Sequence, residues 1–177
     1  MGVSKLDINR CLWLLDTALF MPGELMAGYA EKTFNMGLPS YKLPSMPWDK
    51  NRALGNLAIT EITFNPMDVT PGTQGYSELR EDKIAIYNGA QLPHKTLFHE
   101  IAHCLCHVPE LPQYVKEFEA ECVALLLVDH LELPGAKFCR GAIQESERGI
   151  KLLSLDNHVV TPYVLIKSAQ TILEAGL

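Results

Sequence analysis

The sequence has no excess of positive charge, no cysteine framework and no long apolar run, and each absence removes a class of function. Fifteen Lys and Arg stand against 21 Asp and Glu, a formal net charge of −6 at pH 7. Broad binding to a phosphate backbone needs a basic face, so the chain is not expected to coat nucleic acid. The five cysteines (Cys11, Cys104, Cys106, Cys122 and Cys139) are odd in number and lack disulfide spacing. They read as small core residues in a reducing, cytoplasmic setting. Leu12-Trp13-Leu14-Leu15 is apolar, but Asp7, Arg10 and Asp16 interrupt the run, so neither a signal peptide nor a membrane span is expected. Repeats and low-complexity tracts are also missing. What remains, 177 residues that are 47% hydrophobic and 20% charged, has the size and composition of one soluble globular domain.

Along the chain, apolar residues at helical spacing (Leu12, Leu15, Ala18, Leu19) predict a helix from about Asp7. Pro22-Gly23 breaks it and residues 24–34 resume it. Residues 37–55 are rich in Gly and Pro and read as a loop or extended arm, in which Trp48, Lys50 and Arg52 are candidates for contact with a substrate or nucleic acid. The β-branched run from Leu57 to Phe64 predicts a strand, Tyr76 to Leu79 a shorter one, and Ile84 to Tyr87 another. Between the first two, residues 70–75 are turn material. Pro93 suits a helix start, and a helix is expected from there to about His107. Val108-Pro109-Glu110-Leu111-Pro112 is a tight connection to a second helix from about Gln113 to Leu131, stopped by Leu133-Pro134-Gly135. Two further helices are expected after Phe138, parted near Asp156-Asn157, the last running from Tyr163 to Glu174 with Val164, Ile166, Ala169 and Ile172 as its apolar residues. The expected class is α+β in one domain over residues 1–177. Residues 1–55 form a helical extension and loop, and residues 56–177 form the core, with a small sheet containing antiparallel pairs against the helix of residues 93–107.

That helix carries the chemistry. His99-Glu100-Ile101-Ala102-His103 places two histidines four apart, hence on one face, where both rings can turn a nitrogen to a single metal ion. Glu100 stands beside them, where a carboxylate can take a proton from water activated by that ion. The flanking Leu97, Phe98, Ile101, Ala102 and Leu105 are apolar, and burying two histidines and a glutamate among them without a ligand is costly.

Zinc with an open catalytic position needs three protein ligands. A continuation of the form His-x-x-Gly-x-x-His would supply the third, but Cys106 and Glu110 stand where the glycine and histidine belong. His107 lies one turn past His103 and has rotated round the helix, which suits a supporting or capping role. The second helix offers Glu117, Glu119 and Glu121. A short connection makes the two helices antiparallel, which brings Glu117 level with His103 and Glu121 level with His99, while Glu119 points away to solvent. Glu117 is therefore the expected third ligand. Glu121 is expected to orient a metal-bound histidine, with Glu121 or His107 as the alternative ligand.

Taken together, Gly75-Tyr76, Asp82 to Ile86, Thr96 to His103 with His107, Glu117 to Ala124 and Ser168 to Leu173 resemble the metallopeptidase domain of ArdC-type antirestriction proteins. The wider ImmA/IrrE group is similar in the two metal helices. The resemblance covers roughly residues 75–177. It implies a zincin-like fold, a divalent metal, carriage by plasmids, phages or other mobile elements, and an acidic pair spaced as Glu117 and Glu121 are. ArdC proteins also carry an N-terminal single-stranded-DNA-binding domain, for which residues 1–74 are too short. The expected function is thus a peptidase holding one Zn²⁺ per chain on His99, His103 and Glu117, with Glu100 as the proton-transferring base and a protein or peptide as substrate. An extended substrate is expected to lie along Ile84, Ala85 and Ile86, taken as an edge strand. Tyr87, Tyr114, Tyr163 and His158 are candidate donors to the carbonyl oxygen. The rival readings are a non-proteolytic antirestriction protein that keeps the metal site and works by contact, an antirestriction module that binds single-stranded DNA, and a regulatory protease with a single, narrow protein target.

Overall fold

The computed structural model describes residues 5–20, 48–106, 111–152 and 162–177. These form six helices and a three-stranded mixed sheet: α1 (Ile8–Phe20), α2 (Lys50–Asn56), β1 (Thr60–Glu61), β2 (Gly75–Glu78), β3 (Lys83–Ile86), α3 (Pro93–Cys106), α4 (Gln113–His130), α5 (Ala136–Leu152) and α6 (Pro162–Gly176). The class is α+β. The helix expected over residues 24–34 and the break near Asp156-Asn157 lie outside the described residues.

The organising element is α4. Its residues from Val123 to Val128 are buried without interruption, as in a helix that is apolar all round and must be covered on every side. α3 and α5 pack on it, with α6 and α1 completing the cover. α1 begins where the Asp7 carboxylate accepts the Arg10 N–H at 3.0 Å, which satisfies one of the free donors of a helix start. It buries Cys11, Leu14, Leu15 and Ala18, while Leu12 is exposed. Leu15 and Ala18 are thus buried as expected, and Cys11 and Leu14 stand in the core where Leu12 does not. In α6, Ala169 and Ile172 are buried as expected, joined by Leu165 and Leu173; Ile166 is half-buried against the core and Val164 is exposed.

Residues 48–55 are not a loop, and a division at residue 55 would cut α2. The Asp49 carboxylate accepts the Arg52 N–H at 2.7 Å and caps α2. Trp48, 4% exposed, donates its indole N–H to the Ile172 carbonyl at 3.0 Å and meets Phe98 edge-on with ring centroids 5.0 Å apart. Lys50 pairs with Glu61, and Arg52 donates to the Leu177 carbonyl. The three residues singled out for ligand contact instead tie α2 to α6, to β1 and, through Phe98, to α3. Residues of α1 and α2 share one hydrophobic cluster with the rest of the protein.

The sheet order is β1-β3-β2, with β1 parallel and β2 antiparallel to β3. Only two residues of the β-branched run at 57–64 pair as a strand. The upstream residues are claimed by the end of α2, where Ile59 N–H bonds to the Leu54 carbonyl at 2.9 Å and Ala58 takes a left-handed φ of 56°. β2 and β3 are joined by a tight turn in which Glu81 N–H bonds to Glu78 O at 3.0 Å, with Asp82 at φ 49°.

Candidate metal centre

Two stripes of α3 face different neighbours. Thr96 and Glu100 face the sheet: a Cβ placed on Gly75 would stand 2.7 Å from Thr96 Cγ2 and 3.2 Å from Glu100 Cγ. This close approach is what makes Gly75 a glycine. One residue round the helix, Lys95, His99 and His103 face α4 at Glu117 and Glu121. The stripe between, with Leu97, Phe98 and Ile101, is buried in the core. The helix begins at Pro93, where a missing N–H costs nothing.

The structure brings His99, His103 and Glu117 together. The two Nε2 atoms are 3.0 Å apart. Glu117 Oε2 lies 3.3 Å from His99 Nε2, and its Oε1 lies 3.6 Å from His103 Nε2. A tetrahedron with bonds of roughly 2.0–2.1 Å, the zinc values, has edges of roughly 3.3–3.4 Å. The His99–Glu117 Oε2 separation matches that length, the His99–His103 separation is somewhat shorter, and the other Glu117 oxygen is the one that faces His103; two imidazoles with one carboxylate are a donor set zinc accepts. Among the described residues this is the group of three or more His, Cys, Asp or Glu side chains able to share an ion.

The surroundings set the charge states. Burial works against ionising Glu117, but His99, His103 and the side-chain amide of Gln113 outweigh it and hold the carboxyl down at about 2. Gln113 donates to Glu117 Oε1 from one turn earlier on α4. Glu100 is buried on the sheet side, hydrogen-bonded to Ser77, and desolvation lifts its carboxyl to about 7. A carboxylate in that range is suited to taking and returning a proton near neutral pH.

Behind His99, its Nδ1 sits 3.2 Å from Glu121 Oε1, off the line of a hydrogen bond. Glu121 is almost wholly buried and forms an ion pair with Lys95. Lys95 escaped the sequence reading because a lysine in the first turns of a helix ordinarily reads as solvated. Its position four residues before His99, on the same face, was the available signal. Glu119 is half-buried and acts on Cys106, rather than pointing to solvent.

The expected substrate strand needs correction. β3 is the middle strand, paired with β1 at Lys83 and Ile84 and with β2 from Lys83 to Ile86, and Ile84 and Ala85 are wholly buried. Ile86 is half-buried and packs against the core. The edge nearer Glu100 belongs to β2. Tyr87 packs on Phe64 at 5.4 Å, Tyr163 is exposed, and Tyr114 is in the first turn of α4. His107 and His158 lie outside the described residues. Among the described residues no helix is long and apolar enough to cross a membrane. No protein-family model, curated protein or solved structure matches the chain.

Proposed function

We propose that this protein is a zinc-dependent peptidase with a zincin-like core, in which His99, His103 and Glu117 hold the ion and Glu100 moves the proton. The observation that carries the reading is the cluster of donor groups, with the two Nε2 atoms 3.0 Å apart and the two Glu117 oxygens 3.3 Å from His99 and 3.6 Å from His103, with a buried carboxyl next along the helix. When bound, zinc supplies Lewis acidity to the attacked carbonyl and lowers the pKa of the attacking water. Glu100, desolvated between α3 and β2, accepts the proton from that water and returns it to the departing amine. Ser77 keeps the Glu100 carboxylate oriented toward this task. With β3 enclosed, an extended peptide pairs with the outer edge of β2, Gly75–Glu78, which no strand occupies among the described residues.

The test is elemental analysis of the purified protein with His103→Ala, Glu117→Ala and Glu100→Gln alongside, followed by cleavage assays on a peptide library. One zinc per chain is expected in the wild type and in Glu100→Gln, with loss in the other two. Cleavage is expected in the wild type alone. A wild type that takes up no metal on reconstitution sinks the proposal. Zinc bound without any cleavage shifts it to a contact-acting protein that keeps the metal site.

A further inference from the structure

A partly buried lysine plays no part in the proposed metal centre itself. Lys95 sits one turn before His99 on the same face of α3, and its ammonium contacts Glu121 Oε1, with the two side chains 19% and 6% exposed. The same oxygen faces His99 Nδ1 at 3.2 Å. The other carboxylate oxygen of Glu121, and His99 Nδ1 itself, have no hydrogen-bond partner of good geometry. The stem of Lys95 is confined too: a Cβ on Gly135 would come within 3.2 Å of Lys95 Cβ, and Gly135 holds a φ of +131°. The Cys139 thiol, fully buried on α5, also bonds to Glu121. Three elements thus converge on one carboxylate behind the metal ligand.

A buried ion pair adds little net stability compared with an apolar pair of similar volume, so core packing does not account for this one. Its placement does. Three carboxylates, Glu100, Glu117 and Glu121, crowd around His99, and any of them is chemically able to bind zinc. We propose that Lys95 is a positioning residue that assigns their roles. By anchoring Glu121 on the Nδ1 side of His99, it makes this carboxylate the acceptor for the ring N–H and leaves Glu117 alone to complete the donor set through Nε2 of both histidines. The inference rests on the metal-centre reading and adds to it the residue that selects between two glutamates.

The experiment measures zinc affinity by chelator competition in the wild type, Lys95→Met, Lys95→Arg, Glu121→Gln and the Lys95→Met/Glu121→Gln double variant. Partners of a metal-bound histidine are worth about 10–100-fold in affinity, and a loss of that size is expected in Lys95→Met. Lys95→Arg, which keeps the charge, is expected to recover most of it. Lys95→Met is expected to cost nothing more once Glu121 is Gln. Zinc bound equally well by wild type and Lys95→Met overturns the inference while leaving the metal centre intact, as does a Lys95→Met loss that persists undiminished in Glu121→Gln. A wild type that binds no zinc overturns both. A second measurement needs no variant: ¹⁵N shifts of His99 in the zinc-loaded wild type are expected to show a protonated Nδ1 and a metal-bound Nε2. Coordination through Nδ1 overturns the proposal outright.

Discussion

Gly75→Ala is predicted to destabilise the fold by an amount that Thr96→Ser gives back. The new methyl would stand 2.7 Å from Thr96 Cγ2, 3.1 Å from the Ala85 carbonyl oxygen and 3.2 Å from Glu100 Cγ. Carbon atoms pack best at roughly 3.5–4.0 Å, so β2 must lift away from α3 or Thr96 must turn. Thr96 is buried and β-branched on a helix, so its side chain has few other rotamers to adopt. Overpacking of this kind costs about 1–3 kcal/mol. Restricting the unfolded chain returns about 0.4–1 kcal/mol of that, leaving a net loss on the order of 1–2 kcal/mol. Thr96→Ser alone removes one buried methyl, about 1 kcal/mol. The double variant moves a methyl from the helix to the strand across the same interface, and is expected to lie within about 1 kcal/mol of the wild type.

Urea unfolding of the four proteins of this cycle reads the coupling directly. Independent sites add to within about 0.3–0.5 kcal/mol. Additive losses would show that β2 does not press on Thr96, and the account of why a glycine opens this strand would be wrong. Rescue of stability by Thr96→Ser leaves the 3.2 Å approach to Glu100 Cγ in place. Any peptidase activity is therefore expected to recover less than stability does.

Ala58 and Glu132 hold left-handed φ of 56° and 54° just past the ends of α2 and α4, so Ala58→Gly and Glu132→Gly are each expected to stabilise the fold by about 0.5–1 kcal/mol, read as a higher urea midpoint; an unchanged or lower midpoint refutes the strain. Trp48→Ala removes the buried ring that joins α6 to Phe98 and is expected to cost about 3–5 kcal/mol by calorimetry, where a loss under about 1 kcal/mol would show that this ring does not anchor the segment entering α2. The metal-free protein is expected to lose stability as pH rises. Desolvation lifts Glu100 from 4.5 to about 7, and its contribution is complete below 4.5 and gone above 7. Burial opposes protonation of His99, but Glu117 and Glu121 outweigh it and raise that group from 6.5 to about 9, so its contribution is complete below 6.5 and fades toward 9. Zinc needs deprotonated ligands, so melting temperatures in chelator should fall between pH 6.5 and 9 while the gain on adding zinc should grow; a flat or rising curve in chelator contradicts the assigned charge states.

The parts of this protein legible in its sequence are those governed by local periodicity. His99 and His103 four apart, prolines bracketing the connection, and an acidic pair four apart on the next helix are enough to pair α3 with α4 and to bring Glu117 to the histidines. What escaped depends on contacts distant in the chain. Two-residue β1 pairs in parallel with β3 across a connection of more than 20 residues, and no alternation pattern reports such a pairing. Gly75 resembled turn material because its reason for being glycine lies on α3. Gly135 resembled the stop of α4, yet the left-handed position after that helix is Glu132, where burial of Leu133 holds the motif closed at an unfavourable residue.

The same distinction underlies the role proposed for Lys95. Helix pairing alone puts three carboxylates around one imidazole, and nothing in a four-residue spacing says which of them will bind an ion. Selection requires a charge placed off the donor set, and the set's own residues cannot provide it. Lys95 supplies that charge from α3, Gly135 admits its stem, and Cys139 supports the same carboxylate from α5. The proposed metal site is read from its helix but would be determined by the packing behind it, so the decisive variants are those at Lys95 and Glu121, outside the proposed donor set.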